Sequence, residues 1–169
     1  MPEPISAGEP SGPAVATIER APAESDFVNP LIRVADVMTT DLRTCSPHST
    51  VLEAVMFFRD ADCGAIPIVD MGKPLGILTD RDVALALASY PSDLARLPVG
   101  DLMTPEIVSV NQDDTISVAM DLLGDHGIRR LLVVNGDGVL VGVLSWSDLA
   151  PHLSPCGLGR VLSRIVENR

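Results

Sequence analysis

Two tetrapeptides place a hydroxyl three residues ahead of a carboxylate where a helix should begin: Thr79-Asp80-Arg81-Asp82 and Ser145-Trp146-Ser147-Asp148. Each follows a Gly-apolar-apolar run, Gly76-Ile77-Leu78 and Gly142-Val143-Leu144. A carboxylate one turn into a helix can accept hydrogen bonds from both hydroxyls of a ribose. A hydroxyl at the cap can bond ribose or phosphate, and the unpaired N–H groups of a first turn suit an anion. The same S/T-x-x-D pattern is also a capping box that satisfies those N–H groups from within the chain. Capping and binding do not exclude each other.

Other reactive side chains do not converge. Cys45 and His48 lie three apart with Pro47 between them, which favours a turn, and no orienting acid follows in pattern. Cys63 reads as a small core residue at the start of an apolar strand. His152 and Cys156 have i, i+4 spacing, but Pro151 and Pro155 break the helix that would align them, so a metal site is not expected. His126 precedes Gly127 at a helix end, where a capping role suffices. The chain carries no Walker A or G-x-G-x-x-G motif. These absences point away from catalysis.

The elements that position the tetrapeptides come twice. Val37-Met38-Thr39 recurs as Leu102-Met103-Thr104, 65 residues later. Thr50-Val51, Ala54 and the run Ala65–Asp70 recur at the same spacing as Thr115-Ile116, Ala119 and Arg130–Asn135. Gly76–Asp82 recurs as Gly142–Asp148, now 66 residues later. The one-residue slip falls in Asn135-Gly136-Asp137-Gly138, a turn signal where an insertion costs little. Each copy reads as a short extended piece (Leu42–Cys45; Ile107–Val110), a helix, two strands joined by a turn, and a second helix from Thr79 or Ser145. Thr50 and Glu53 form a capping box for the first long helix, and Asp113 or Asp114 can cap its counterpart. Val51, Leu52, Ala54, Val55 and Phe58, and then Ile116, Ala119, Met120 and Leu123, give helical stripes. The strands, Ala65–Val69 with Leu75–Leu78 and Leu131–Val134 with Leu140–Leu144, are nearly continuous apolar runs, which predicts cover on both faces.

Composition narrows the class. The chain has 169 residues, 46% of them hydrophobic but only 3% aromatic, so a core must be built from aliphatic side chains. A formal net charge of −11 repels phosphate backbones and anionic bilayers, so no nucleic-acid or membrane partner is expected. Three cysteines without a C-x-x-C pair suggest a reducing, cytoplasmic setting. No signal peptide or stretch of about 20 apolar residues is visible.

With Met-Thr, the capped helix, Gly64-Ala65-Ile66-Pro67-Ile68-Val69-Asp70 and Gly76-Ile77-Leu78-Thr79-Asp80-Arg81-Asp82 in order, residues 34–150 resemble a tandem pair of cystathionine-β-synthase (CBS) domains. The resemblance implies an α+β fold of two β-α-β-β-α repeats packed pseudo-twofold through their sheets. It also implies binding of AMP, ADP, ATP or S-adenosylmethionine in two clefts between the repeats, with no required cofactor, and association as a homodimer. By resemblance, one cleft combines Thr79, Arg81 and Asp82 with Gly64, Ala65, Ile66 and Thr104. The other combines Ser145, Ser147 and Asp148 with Ile128, Arg129 and Arg130 and, across the pair, Thr39 and Cys63. The adenine would lie against Ile66 or Ile128, and Arg81 and Arg130 could pair phosphate bidentately. The two clefts are not equivalent. Ser147 stands where the first copy has Arg81, Leu132 where it has Pro67, and Trp146 is bulky beside a ligand.

The expected organisation is a disordered tail over 1–30, repeats over 31–96 and 97–153, and a C-terminal helix over 154–169. Leu158, Val161, Leu162 and Ile165 form a stripe on that helix, suited to packing on its own module or to a dimer contact. Together these features describe a non-catalytic sensor whose ligand modulates a protein partner. The alternative is a ligand-free scaffold for dimerisation and docking.

Overall fold

Thr50 caps the first helix as its sequence demands: its hydroxyl accepts the Glu53 N–H, and the Glu53 carboxylate accepts the Thr50 N–H at 2.7 Å. From that cap runs α1 (Val51–Asp60), followed by β1 (Ala65–Asp70), β2 (Lys73–Thr79) and α2 (Asp80–Ala86). The second repeat supplies β3 (Ser109–Asn111), α3 (Ile116–Asp125), β4 (Arg130–Val134), β5 (Leu140–Ser145) and α4 (Trp146–Leu149), and α5 (Pro155–Glu167) ends the fold. This computed structural model describes residues 31–168, so the expectation for residues 1–30 lies outside the described residues.

Both hairpins are set by their turns. Met71 and Gly72, at φ of 48° and 80°, close β1 onto β2 with the two left-handed residues that match strand twist. Between β4 and β5, the Asn135 side chain accepts from the N–H groups of Asp137 and Val139, and Gly138 takes the left-handed position at φ 75°. The one-residue insertion is absorbed in this turn. The α3 cap differs from expectation. Thr115 is the N-cap residue without a side-chain cap bond, and the Asp114 carboxylate turns back to the Asn111 N–H at 3.1 Å. Asp113 likewise takes part in a local turn, donating its N–H to the Asn111 side chain.

The sheets are unequal. β3 lies parallel to β4, and β4 antiparallel to β5, in a three-stranded sheet. In the first repeat β1 and β2 pair alone, and the preceding extended piece contributes only a parallel bridge from Cys45 to Ile68. Proline explains the loss. Leu132 donates its N–H to the Val108 carbonyl at 3.3 Å and Gln112 to the Val134 carbonyl at 2.9 Å, whereas Pro67 and Pro47, at the matching positions, have no N–H to offer Arg43 and Val69.

Buried residues form two clusters, one around each repeat's hairpin. The clusters do not follow the chain order. Val34, buried completely, packs with Val37 and Met38 in the second cluster, while Leu94, Val99, Leu102 and Met103 pack in the first. Each Met-Thr segment crosses to the other repeat's hairpin. Thr39 pairs antiparallel with Val143, and Thr104 with Ile77, each through two backbone hydrogen bonds of 2.9–3.0 Å. The glycines of the Gly-apolar-apolar runs make the crossing possible. A Cβ on Gly142 would stand 2.5 Å from Met38 Sδ, and one on Gly76 would stand 2.7 Å from Met103 Sδ.

The C-terminal stripe packs on its own module, the simpler of its two sequence readings. Val161 and Ile165 of α5 are buried in the second cluster, and Arg164 bonds Asp121 at 2.9 Å and also pairs with Asp125, both on α3. Gly124 leaves room for that arginine, since a Cβ there would lie 2.9 Å from Arg164 Nε. Among the described residues, no helix is long and apolar enough to cross a membrane.

Candidate functional site

The two tetrapeptides fold as capping boxes in the same geometry. Thr79 donates its N–H and its hydroxyl to Asp82 Oδ2 at 2.9 and 2.6 Å. Ser145 donates the same two groups to Asp148 Oδ2 at 2.7 and 2.6 Å. One carboxylate oxygen thus carries the cap in each copy, and Oδ1 of neither receives a bond from the described residues. The first-turn N–H groups are used within the protein. At α2, Asp80 donates to the Gly64 carbonyl, Arg81 to the Asp80 carboxylate and Asp82 to the Thr79 hydroxyl, at 3.4, 2.8 and 3.2 Å. Trp146 likewise donates to the Arg129 carbonyl at 3.3 Å. The helices are short, seven residues for α2 and four for α4. The helix start expected to hold an anion has therefore spent its donors, and positive charge for an anion must come from arginines.

Two adjoining clefts open at these junctions. The first, about 390 Å³, sets Ile77, Thr79, Asp80 and Arg81 against Gly127, Ile128, Arg129 and Arg130. The second, about 290 Å³, sets Val143, Ser145 and Asp148 against the loop from Ala61 to Ala65 and the crossing segment that includes Thr39, Asp41 and Arg43. Both are composite, pairing the strand-to-helix junction of one repeat with the loop before the first hairpin strand of the other. Gly64, Ala65 and Arg130 line both clefts. Their volumes lie near the lower end of those of small-molecule sites.

The structure brings together Thr79, Arg81, Gly64 and Ala65 as the sequence suggested, and likewise Ser145, Asp148, Arg130, Thr39 and Cys63. Ile128 and Arg129 move to the Thr79 cleft, because the repeats cross. Ile66 is fully buried in the first cluster, which removes it as an adenine contact, while half-buried Ile128 lines a wall. Asp82 is half buried behind Thr79 and is not part of the wall. Thr104 pairs with Ile77 outside the wall, and Ser147 is exposed with its hydroxyl 2.7 Å from that of Ser145. Trp146 does not crowd the Ser145 cleft; its side chain packs on the second cluster.

Sequence reasoning missed Asp41, Arg43, Asp62, Ile77, Asp80, Gly127 and Val143 among the lining residues. The repeat spacing held a signal for one of them. Asp62 and Gly127 lie 65 apart, both past the end of the long helix and both left-handed, at φ 48° and 60°. Asp62 thus brings a carboxylate to one cleft where the other has a glycine. Burial, then the charge of Glu53, pushes the Cys45 thiol above its usual range, so the thiolate is disfavoured. No group of three His, Cys, Asp or Glu side chains suited to a metal occurs among the described residues.

Comparison with known proteins places these features. The CBS domain family matches residues 34–89 and again 99–154. The chain is 40% identical over 133 residues to the CBS domain-containing protein YhcV of Bacillus subtilis, covering 78% of this chain and 94% of the relative. A solved structure of CBSX2 in complex with AMP matches with a TM-score of 0.61 at 28% identity, covering 71% of this chain and 94% of the other. The CBS domain pair of protein MJ0100, solved with 5′-methylthioadenosine and S-adenosyl-L-methionine, matches with a TM-score of 0.64 at 24% identity, a likeness of fold, over 72% and 95% of the two chains.

Proposed function

Because this chain belongs to the CBS domain family, carrying the domain twice, we propose that it is a non-catalytic sensor that binds an adenine nucleotide in its inter-repeat clefts and modulates a protein partner. The observation that supports this reading is the pair of composite clefts, each joining a T/S-x-x-D junction of one repeat to the loop of the other. A ligand spanning such a cleft touches both repeats, so it favours one arrangement of the pair over others, which is what regulation requires. The AMP bound to the similar CBSX2 pair supports the adenine class. AMP, ADP, ATP and S-adenosylmethionine are the candidate ligands. A cytoplasmic location accords with the three cysteines, all of them free thiols.

A second reading, a dimerising scaffold, is favoured by one surface. Leu52 and Met56 of α1 and Leu85 of α2, with Leu87 just beyond it, are 53%, 44%, 62% and 55% exposed. This apolar face suits a second copy or a regulated partner. Thermal unfolding against the four candidate ligands separates the readings. At 100 times Kd a ligand adds about 2.7 kcal/mol, which shifts Tm by roughly 5–10 °C for a domain of this size. Flat curves with all four, together with a dimer that persists without ligand, would leave the scaffold and remove the sensor.

A further inference from the structure

The two clefts differ in charge. The Thr79 cleft is lined by Arg81, Arg129 and Arg130 against a single carboxylate, Asp80. The Ser145 cleft is lined by Asp41, Asp62 and Asp148 against Arg43 and Arg130. Arg130 serves both walls. A Cβ on Gly64, which also lines both, would sit 3.6 Å from Arg130 Nη2 and 3.6 Å from Asp80 Oδ2, so this guanidinium lies over the seam. The difference is therefore made by the other charges. Arg81 is matched by Ser147 in the second copy, and Asp62 by Gly127. Asp148 accepts from the Ser145 N–H and hydroxyl through Oδ2 alone. At Trp146 the first-turn N–H beside these carboxylates is already bonded to the Arg129 carbonyl. Within a cleft a few ångströms across, charges act inside the screening length of about 8 Å at physiological salt. Walls of one prevailing sign then select ligands of the other.

We infer that the clefts divide their ligands by charge: the Thr79 cleft takes a phosphate-bearing adenine nucleotide, and the Ser145 cleft takes an adenine nucleoside without phosphate, preferably one that is cationic. This rests on the reading that the clefts hold adenine compounds. In the Thr79 cleft the phosphate meets Arg81 and Arg129, with Ile128 as the apolar surface for the base. In the Ser145 cleft, Asp41, Asp62 and Asp148 repel a phosphate and attract a sulfonium.

Calorimetric titration of the whole chain with AMP and with S-adenosylmethionine tests the division. The expected result is one equivalent of AMP and one of S-adenosylmethionine, each binding in the presence of the other. Arg81→Ser, at an exposed position, lowers AMP affinity at least tenfold and changes S-adenosylmethionine affinity less than threefold. Arg129→Ser repeats the effect on an independent element. Asp41→Asn with Asp62→Gly admits a second equivalent of AMP. Two equal equivalents of AMP in the unaltered chain, or mutual displacement of the two ligands, would overturn the division while leaving the sensor reading intact. If no adenine compound binds the folded protein, the sensor reading falls and the division with it.

Discussion

The first repeat builds its sheet from a hairpin and a single parallel bridge and leaves apolar side chains of α1 and α2 in solvent. The second has a full third strand, and α5 lies across α3. Both start from one pattern of glycine, hydroxyl and carboxylate, so the shared features hold the pair together and the unshared ones tell its halves apart. Paired features are the capped helices, the crossing Met-Thr segments and the glycines beneath them. Besides the third strand and α5, the unpaired features include Arg81 against Ser147 and Asp62 against Gly127, of which Arg81, Asp62 and Gly127 line the clefts.

The strongest test asks whether the halves are separable at all. Leu78 and Leu144 are equivalent and fully buried, one in each cluster. Each leucine-to-alanine change should cost about 2–5 kcal/mol through lost burial and a residual cavity. Because residues near Val34 complete the second cluster and residues near Val99 the first, neither half can unfold without tearing strands from the other. Scanning calorimetry of either variant should show a single transition shifted downward by roughly 5–15 °C. Two transitions, with only one moved by Leu78→Ala, would show that the exchanged segments do not couple the halves.

A smaller effect sharpens the comparison at the glycines. A Cβ on Gly76 meets both Met103 Sδ and the Thr104 carbonyl oxygen at 2.7 Å. A Cβ on Gly142 meets Met38 Sδ at 2.5 Å, but the Thr39 carbonyl oxygen only at 3.2 Å. A methionine end can swing aside, whereas a carbonyl held in a strand pairing cannot. Gly76→Ala should therefore cost about 1–3 kcal/mol, the usual range for overpacking, and Gly142→Ala clearly less. Urea midpoints measured side by side decide it. Equal losses would mean that the sulfur contact sets both costs.

The sequence carried what is local. Capping boxes, hairpins and helical stripes depend on spacings of a few residues, and the repeat itself on one constant offset. The exchange of Met-Thr segments came only from the family resemblance, which set Thr104 beside Thr79 and Thr39 beside Ser145, because an offset shows which residues are equivalent but not which copy they pack against. That is why Ile128 and Arg129 were expected beside Ser145 and lie beside Thr79. The α3 cap was misread for a related reason. Asp113 and Asp114 are both sound capping types, but the turn at Asn111 engages both, leaving Thr115 at the cap position. Ile66 shows the same limit in packing. An apolar residue at the start of a strand suits a base or a core equally, and only the neighbours place it among Ile68, Leu78 and Val51.

The least costly change addresses the missing strand. Pro67→Leu gives the first repeat the residue type that the second carries at position 132, and with it an N–H directed where Leu132 donates to Val108. The gained hydrogen bond contributes about 0.5–1.5 kcal/mol, and the loss of proline's restraint on the unfolded chain offsets about 0.4–1 kcal/mol of it. Global stability should therefore stay within about 1 kcal/mol of the parent chain, because the two contributions nearly cancel. The local outcome is sharper: in hydrogen exchange followed by NMR, the new amide at position 67 should be protected, with Arg43 as its acceptor. An amide at 67 that exchanges at the rate of an open loop would mean that some other feature of the 42–45 segment prevents pairing. The contrast between the two sheets would then rest on Pro47, which stands where Gln112 donates to Val134, rather than on Pro67.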